Sequence, residues 1–426
     1  MSNITGIAPS PPRVGHYRWV VCALLFSAVA INYIDRQMIG VLKPTLQHEL
    51  HWTEIGYSDI IFWFQAFYAL GYVGFGKLVD KVGARLGYSV SIAIWTAAHI
   101  AHAFVSTLFG FKMVRIALGV GESGSFPAAI KAVTEWFPQR ERAFATGLFN
   151  AGSNVGAILT PLIVPAVTLA FGWRMAFVLT GLFSLVWLVV WLVMYREPRH
   201  SKHVGAAELA YIESDAPDTG KPISWFALLG YRETWAYGIG KFLIDPIWWM
   251  FLFWLPDFFA KRYHLDLKNF GPPLVAVYVL SDMGSIAGGW MSSAMIKHGY
   301  SVNAARKLTM LICAIAVLPV MFAMYASTVW LAVAIVGLAT AAHQGFSANL
   351  YTIPSDVFPR RAVGSVIGIG GMLGGVGGMA MAAYTGRVLE YLHTYTPIFI
   401  VAGSVYLIAV AVVHLLSPRL APVETI

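Results

Sequence analysis

The segment Glu135–Gly156, EWFPQRERAFATGLFNAGSNVG, returns 221 residues later as Asp356–Gly377, DVFPRRAVGSVIGIGGMLGGVG. Glu135, Phe137, Pro138, Arg140, Gly147 and Gly156 align with Asp356, Phe358, Pro359, Arg361, Gly368 and Gly377. Glycine-rich segments match one another by chance, but a shared F-P-x-R with a flanking acid points to an internal duplication. Parallel repeats related by an axis along the membrane normal are a transporter architecture, with the substrate bound near the midplane between the halves.

Working outward, the 426 residues are 58% hydrophobic and 12% charged, with a mean hydropathy of +0.66. Soluble domains carry about 25% charged residues, so the chain reads as a polytopic membrane protein. A span needs about 20 predominantly apolar residues. Twelve segments qualify, at roughly 18–42, 57–79, 86–106, 109–134, 143–170, 174–195, 234–260, 270–296, 307–327, 329–354, 363–389 and 395–416. The one long polar connection, residues 196–233, contains Pro198, Pro217 and Pro222 and separates six spans from six. The expected fold is all-α: twelve transmembrane helices in two pseudo-symmetric six-helix bundles, 1–195 and 234–426, joined by a linker. Within the linker, GAAELAYIES suits either a short amphipathic surface helix or a plain tether. Glycines crowd the fourth, fifth, eighth and eleventh spans, a pattern that serves close helix packing and equally helices that bend or slide.

The net charge of +8 raises the question of a nucleic-acid partner, but topology accounts for it. Most Lys and Arg lie at the N-terminus and in even-numbered connections, Arg13, Lys77, Lys81, Arg140, Arg196 and Lys221 among them. Odd-numbered connections hold few, and Arg36, Arg115, Lys131 and Lys241 lie inside spans. The positive-inside rule then puts both termini in the cytoplasm. The first apolar segment is long, lacks a small-residue cleavage site and runs into Asp35-Arg36, so it is expected to stay as a span. Cys22 and Cys313 both fall in apolar spans, which argues against a disulfide framework.

The connection after the second span reads GKLVDKVGAR, Gly76–Arg85. Glycines for a turn, one acid and several bases suit a cytoplasmic latch in which Asp80 faces a helix N-terminus or an arginine. Gly76, Asp80, Gly83 and Arg85 are the candidate gate residues. Topological charge alone explains the bases, but not Asp80 or the paired glycines. Two nucleotide motifs fail on inspection. GYVGFGKL, Gly71–Leu78, lacks the final Ser or Thr of a P-loop, and GVGESG, Gly119–Gly124, lies inside an apolar helix instead of at a strand-to-helix turn. The chain has no H-E-x-x-H, no G-x-S-x-G and no metal-ligand cluster, so neither an enzyme nor a metal site is expected.

An ionisable group at mid-span costs about 2.5–3.5 kcal/mol on insertion scales, so it lines a pathway, has a partner, or both. Arg115 and Glu122 are seven residues apart and share one helix face. Counting about 1.5 Å per residue across a core of about 30 Å puts Asp35 about 25 Å from the cytoplasmic side, Arg115 near 21 Å and Glu122 near 10 Å. This pairs Asp35 with Arg115 and leaves Arg36 and Glu122 without a fixed protein partner. Arg36 is then expected to receive an anionic substrate in a planar, bidentate contact. Glu122, whose burial favours the neutral acid, would carry a proton, with Asp35 as a second proton site. Purely structural ion pairs are the alternative.

In the seventh span, Lys241 and Asp245 stand four residues apart, which also serves an ordinary helix ion pair. Trp248 and Trp249 offer flat faces to a sugar ring, to lipid or to the core. Asp282 is a further intramembrane acid. His343 falls opposite Glu122 at the repeat offset, as a polar site residue or a satisfied core histidine; His99 and His102 stand behind it as candidates. Among polar groups that meet substrate hydroxyls or bond helix to helix, Gln65 included, the selected ones are Tyr33, Tyr68, Asn154 and Asn349.

GKLVDKVGAR resembles the G-x-L-a-D-x-x-G-x-R signature of the major facilitator superfamily, and the chain resembles that family along almost its whole length. The corresponding connection after the eighth span keeps glycines and bases but lacks the acid, so a second latch would be weaker. NYIDRQ, RIALGVGESGSFPAAIKAVTEWFP and KFLIDPIWWMFLFWLP resemble the anion:cation symporter family, with the seventh span and SDMGSIAGGWMSS most similar to hexuronate transporters and galactonate-type transporters close behind. The resemblance implies proton-driven uptake of a sugar carboxylate, with Asp35 and Glu122 coupling protons, Arg115 paired to Asp35, and Arg36 near the substrate carboxylate. The expected protein is therefore an inner-membrane symporter for glucuronate or galacturonate, a monomer with protons as coupling ion and no other cofactor. An anion exchanger and a non-transporting sensor are the competing classes.

Overall fold

A computed structural model describes residues 15–214 and 223–423, without the side chains of Ala143, Arg360 and Arg361. Arg13, Pro217, Lys221 and Pro222 lie outside the described residues. The first half contains α1 (Tyr17–Leu50), α2 (Glu54–Ala101), a 3-10 turn (His102–Phe104), α3 (Leu108–Glu122), α4 (Ser125–Trp136), α5 (Gln139–Asn150), α6 (Gly152–Phe171) and α7 (Trp173–Met194). Two short helices, α8 (Ala206–Ile212) and α9 (Trp225–Leu228), lie in the connection. The second half contains α10 (Arg232–Tyr263), α11 (Gly271–Lys297), α12 (Val302–Val317), a 3-10 segment (Leu318–Tyr325), α13 (Val329–Val357), α14 (Arg360–Leu392) and α15 (Thr396–Leu416).

Nine helices among the described residues are long and apolar enough to cross a membrane. The second and third crossings are the two arms of α2, which leaves helical geometry and turns at Gly83, and the fourth is divided between α3 and α4. The twelve expected spans are therefore all present, in a fold without strands among the described residues. Threonine and serine side chains cap several of these helices: Thr53 accepts from Gly56 N at 2.9 Å, Thr107 from Gly110 N and Thr328 from Leu331 N. Large apolar side chains such as Val193, Ile286, Trp290 and Leu415 face outward, where lipid replaces water as solvent.

The duplicated F-P is a helix break used twice. Proline pushes its predecessor out of the helical region and lacks the donor that would continue a helix. Phe137 (φ −123°, ψ 133°) and Phe358 (φ −103°, ψ 150°) accordingly end α4 and α13, and Pro138 and Pro359 open the next helices with nearly equal torsions. The aligned glycines also do the same work. A methyl on Gly156 would overlap the Ala30 carbonyl of α1, and one on Gly377 the Phe242 carbonyl of α10. Each half thus packs its fifth helix backbone-to-backbone on its first.

The halves meet along α1–α10, α2–α14 and α6–α11. Along the antiparallel α2–α14 seam, Gly386 closes on Ser58 and Gly378 on Gln65, and a Cβ at Gly375 would lie 3.0 Å from that of Ala69. Further along, Gly74 and Gly76 face open space, as do Gly364 and Gly371. The seam is therefore shut at the side of the odd-numbered connections and open at the side of the termini.

GAAELAYIES does form a helix, α8. Glu208 is buried against Arg18, and Tyr211 donates to Glu141 at 2.6 Å, which fixes this end of the connection to the first half. Trp225 of α9 packs on Gly368 of α14.

Candidate functional site

Asn32, Asp35, Arg36 and Gln37 occupy the middle of α1 and are all buried. Their neighbours differ because successive helical residues point about 100° apart. Arg36 faces the other half of the molecule and Asp35 faces inward.

Arg36 does not stand free. Its Nε donates to Glu122 Oε2 at 2.6 Å and its Nη2 to Asn32 Oδ1 at 3.0 Å. Its guanidinium carbon lies 4.9 Å from the Tyr33 ring, 4.8 Å from Tyr68 and 5.1 Å from Trp249. Trp249 comes from α10, so the cage closes across the interface between halves. Cation–aromatic contacts of this kind hold a guanidinium flat while leaving its edge for hydrogen bonds. Glu122 Oε1 is buried without a protein partner.

Arg115 is not the partner of Asp35. Its Nη2 donates to the Arg36 carbonyl at 3.0 Å, while Nε and Nη1 are buried without a protein partner. Asp35 instead accepts from Ser184 Oγ at 2.9 Å through Oδ2, and its Oδ1 lies 3.3 Å from His99 Nε2. Counting residues along straight axes ignored rotation about those axes and the interruption of the fourth span at Ser123–Gly124. It also ignored the reach of arginine, whose long side chain carries charge well away from its own Cα. The four charges do converge; the pairs among them differ from those expected.

On the second half, Lys241 Nζ lies 2.7 Å from Asp245 Oδ1 and donates to Tyr351 OH at 2.7 Å. Lys241 Nζ lies over the Tyr351 ring, 3.9 Å from its centroid, as Arg36 lies over Tyr33. Trp248 stacks on His343 with rings 5.4 Å apart and 3° from parallel, and His343 Nδ1 pairs with Tyr406 OH at 2.6 Å. Asn154 of α6 faces Asp282 of α11. Asn349 Nδ2 donates to the carbonyls of Gly288 and Gly345, which binds α13 to α11, while its Oδ1 is buried without a protein partner. Tyr33, Tyr68, Asn154, Asp245 and Trp248 are partly exposed and Tyr351 is exposed, whereas Arg36 and Lys241 lie beneath them.

At the open end, Asp80 is exposed and has neither ion pair nor hydrogen bond among the described residues, contrary to the expected latch. Gly83 turns the chain with φ 79° and ψ 168°, and Arg85 donates to the Leu192 carbonyl at 2.7 Å. The latch residues are present, but Asp80 is disengaged on the side where the halves have parted.

The sequence model of the Major Facilitator Superfamily matches residues 25–382. The chain belongs to that superfamily. It is a multi-pass membrane transporter and not an enzyme. The hexuronate transporter of Escherichia coli is 30% identical over 409 residues, covering 94% of each chain. The galacturonate transporter of Dickeya chrysanthemi is 33% identical over 303 residues, 70% of this chain and 88% of that one. A bacterial homologue of the human lysosomal transporter Spinster, solved in an inward-facing and occupied conformation, superposes with a TM-score of 0.73 at 16% identity, over 95% of this chain and 98% of that one. The last likeness concerns the fold alone.

Several groups in this superfamily member's site carried little signal in the sequence. Trp249 was indistinguishable from Trp248, and Tyr351 stands 110 residues from the Lys241 it meets. Gln65, buried at the seam with both amide atoms unpartnered, was visible only as one more intramembrane polar group. His99 gave no hint of Asp35, because the contact joins separate helices.

Proposed function

We propose that this transporter imports a sugar acid, a hexuronate such as glucuronate or galacturonate, together with protons. The observation that carries the reading is the Arg36–Glu122 contact inside an aromatic cage between the halves. Arg36 with an ionised Glu122 is neutral as a pair. A substrate carboxylate that takes the guanidinium while Glu122 stays ionised leaves one uncompensated negative charge in a buried site, which is costly. A proton on Glu122 without substrate leaves an uncompensated positive charge. Within this pair only two states are neutral: empty and deprotonated, or loaded with a proton on Glu122. Only those cross the closed, apolar intermediate readily, and this is coupling.

The names of the two relatives support a sugar acid as substrate. The tyrosines and tryptophans around Arg36 and Lys241 suit a ring with hydroxyls, and Lys241 with Asp245 can read its far end. Asp35 serves as a second proton site. The halves 1–195 and 234–426 rock about this site in a single chain, the linker 196–233 following, with no cofactor beyond protons. The open side carries the basic connections, so by the positive-inside rule it is cytoplasmic, with both termini inside a bacterial-type inner membrane. There Asp80 would engage its latch only when that side closes.

The test is uptake into proteoliposomes driven by a pH gradient alone. The wild type should concentrate hexuronate, and Glu122→Gln should lose concentration while still binding substrate. A Glu122→Gln variant that concentrates hexuronate normally would remove Glu122 from coupling. Uptake indifferent to the pH gradient but dependent on substrate inside would make the protein an exchanger, and a preference for galactonate would make the substrate an aldonate.

A further inference from the structure

Two buried histidines on α2 play no part in the cage around Arg36. His99 Nε2 lies 2.8 Å from Thr180 Oγ1 and 3.3 Å from Asp35 Oδ1. The Thr180 hydroxyl donates its own proton to the Ala176 carbonyl at 2.9 Å, so its oxygen accepts from His99 and Nε2 carries the hydrogen. Nδ1 is then a bare acceptor, and it is buried without a partner. His102 has the opposite arrangement. Its Nδ1 meets the Ala98 carbonyl at 2.8 Å and its Nε2 is buried without a partner. The two ring centroids are 6.1 Å apart, and the two unpartnered nitrogens are the groups that a bridging water would join. His102 opens the 3-10 turn His102–Phe104 at the closed end of the molecule, where Phe104 is exposed.

We infer that His102 and His99 form a proton route from the closed face of the first half to Asp35. The inference rests on the proton-coupled reading above. In one transfer His99 takes a proton on Nδ1 and passes the Nε2 hydrogen to Asp35 Oδ1, which makes no hydrogen bond in this structure. The products are a protonated Asp35 and a neutral His99 that carries its hydrogen on Nδ1; a half-turn of the ring about Cβ–Cγ brings that N–H to the Asp35 side, and the next transfer runs with the two nitrogens exchanged. No other group changes charge. The ionisable groups facing this file are Asp35 of α1 and Arg115 and Glu122 of α3; α7 contributes Thr180, Ser184 and the Phe177 ring stacked on His102. Because the file lies within one half, it survives rocking of the halves and stays separate from the substrate path, which opens on the opposite face.

The experiment is pH-gradient-driven uptake in proteoliposomes by His99→Gln and His102→Gln, with thermal-shift binding of glucuronate or galacturonate as a check of folding. Gln at 99 keeps a donor toward Asp35 but cannot relay a proton. Initial uptake is expected to fall about tenfold or more in both variants, while the ligand-induced shift persists. Wild-type uptake that responds to the gradient, with either folded variant matching it, overturns the route and leaves the proton-coupled reading intact. Wild-type uptake that ignores the gradient overturns both. If His99→Gln does not fold, His102→Gln, one ring removed from Asp35, decides.

Discussion

Replacing Arg36 by lysine keeps the charge and removes the planar fork that fits a carboxylate. A hydrogen bond to a charged group contributes about 1.5–3 kcal/mol, so Arg36→Lys should weaken substrate binding about 10–100-fold by titration calorimetry. Unchanged affinity would show that the substrate carboxylate sits elsewhere. Asn349→Ala makes the opposite kind of test. Its amide ties α13 to α11, so its loss should lower the melting temperature while affinity in the folded fraction holds. At this scale the sequence disclosed which residues matter, since buried charges need a reason wherever they occur. It did not disclose their partners, because a pair such as Arg36–Glu122 depends on how two helices are rotated toward each other.

At the scale of elements, Gly83 turns α2 between its two crossings with φ 79° and ψ 168°, a region open essentially to glycine. Gly83→Ala should therefore cost about 1–3 kcal/mol, read as a lower unfolding temperature in detergent. An unchanged melting temperature would mean that the turn relaxes freely. The Phe-Pro breaks and the spans were legible because proline chemistry and apolar length act locally. The interruption of the fourth crossing was not, because it depends on what packs against the helix: at Gly124 a methyl would collide with Phe75 of α2.

For the whole molecule, the decisive feature is the ionic cluster that shuts one face. Lys43 of α1, fully buried, lies 2.7 Å from both Glu54 and Asp257, and Lys261 pairs with Glu54 and Asp257 in turn. Tyr395 donates to Asp257, and Glu390 accepts from Glu54 N at 2.8 Å. In the four ion pairs, Lys43 and Lys261 from opposite halves balance Glu54 and Asp257. Removing one partner strands a buried charge, at a cost of about 3–5 kcal/mol. Lys43→Met should therefore populate the state open on this face, seen as longer spin-label distances between positions 59 and 387. Asp257→Asn made in that background should partly restore closure, and distances insensitive to both changes would sink the gate. The sequence by itself determined the membrane class, the twelve crossings, the duplication and the set of intramembrane charges, because hydropathy, proline and glycine act through neighbours in the chain. Only the tertiary structure decided that Glu122 holds Arg36, that Asp35 meets His99, and which face is closed. Those contacts join residues tens to hundreds of positions apart, and helix rotation and tilt, which set them, are fixed by packing.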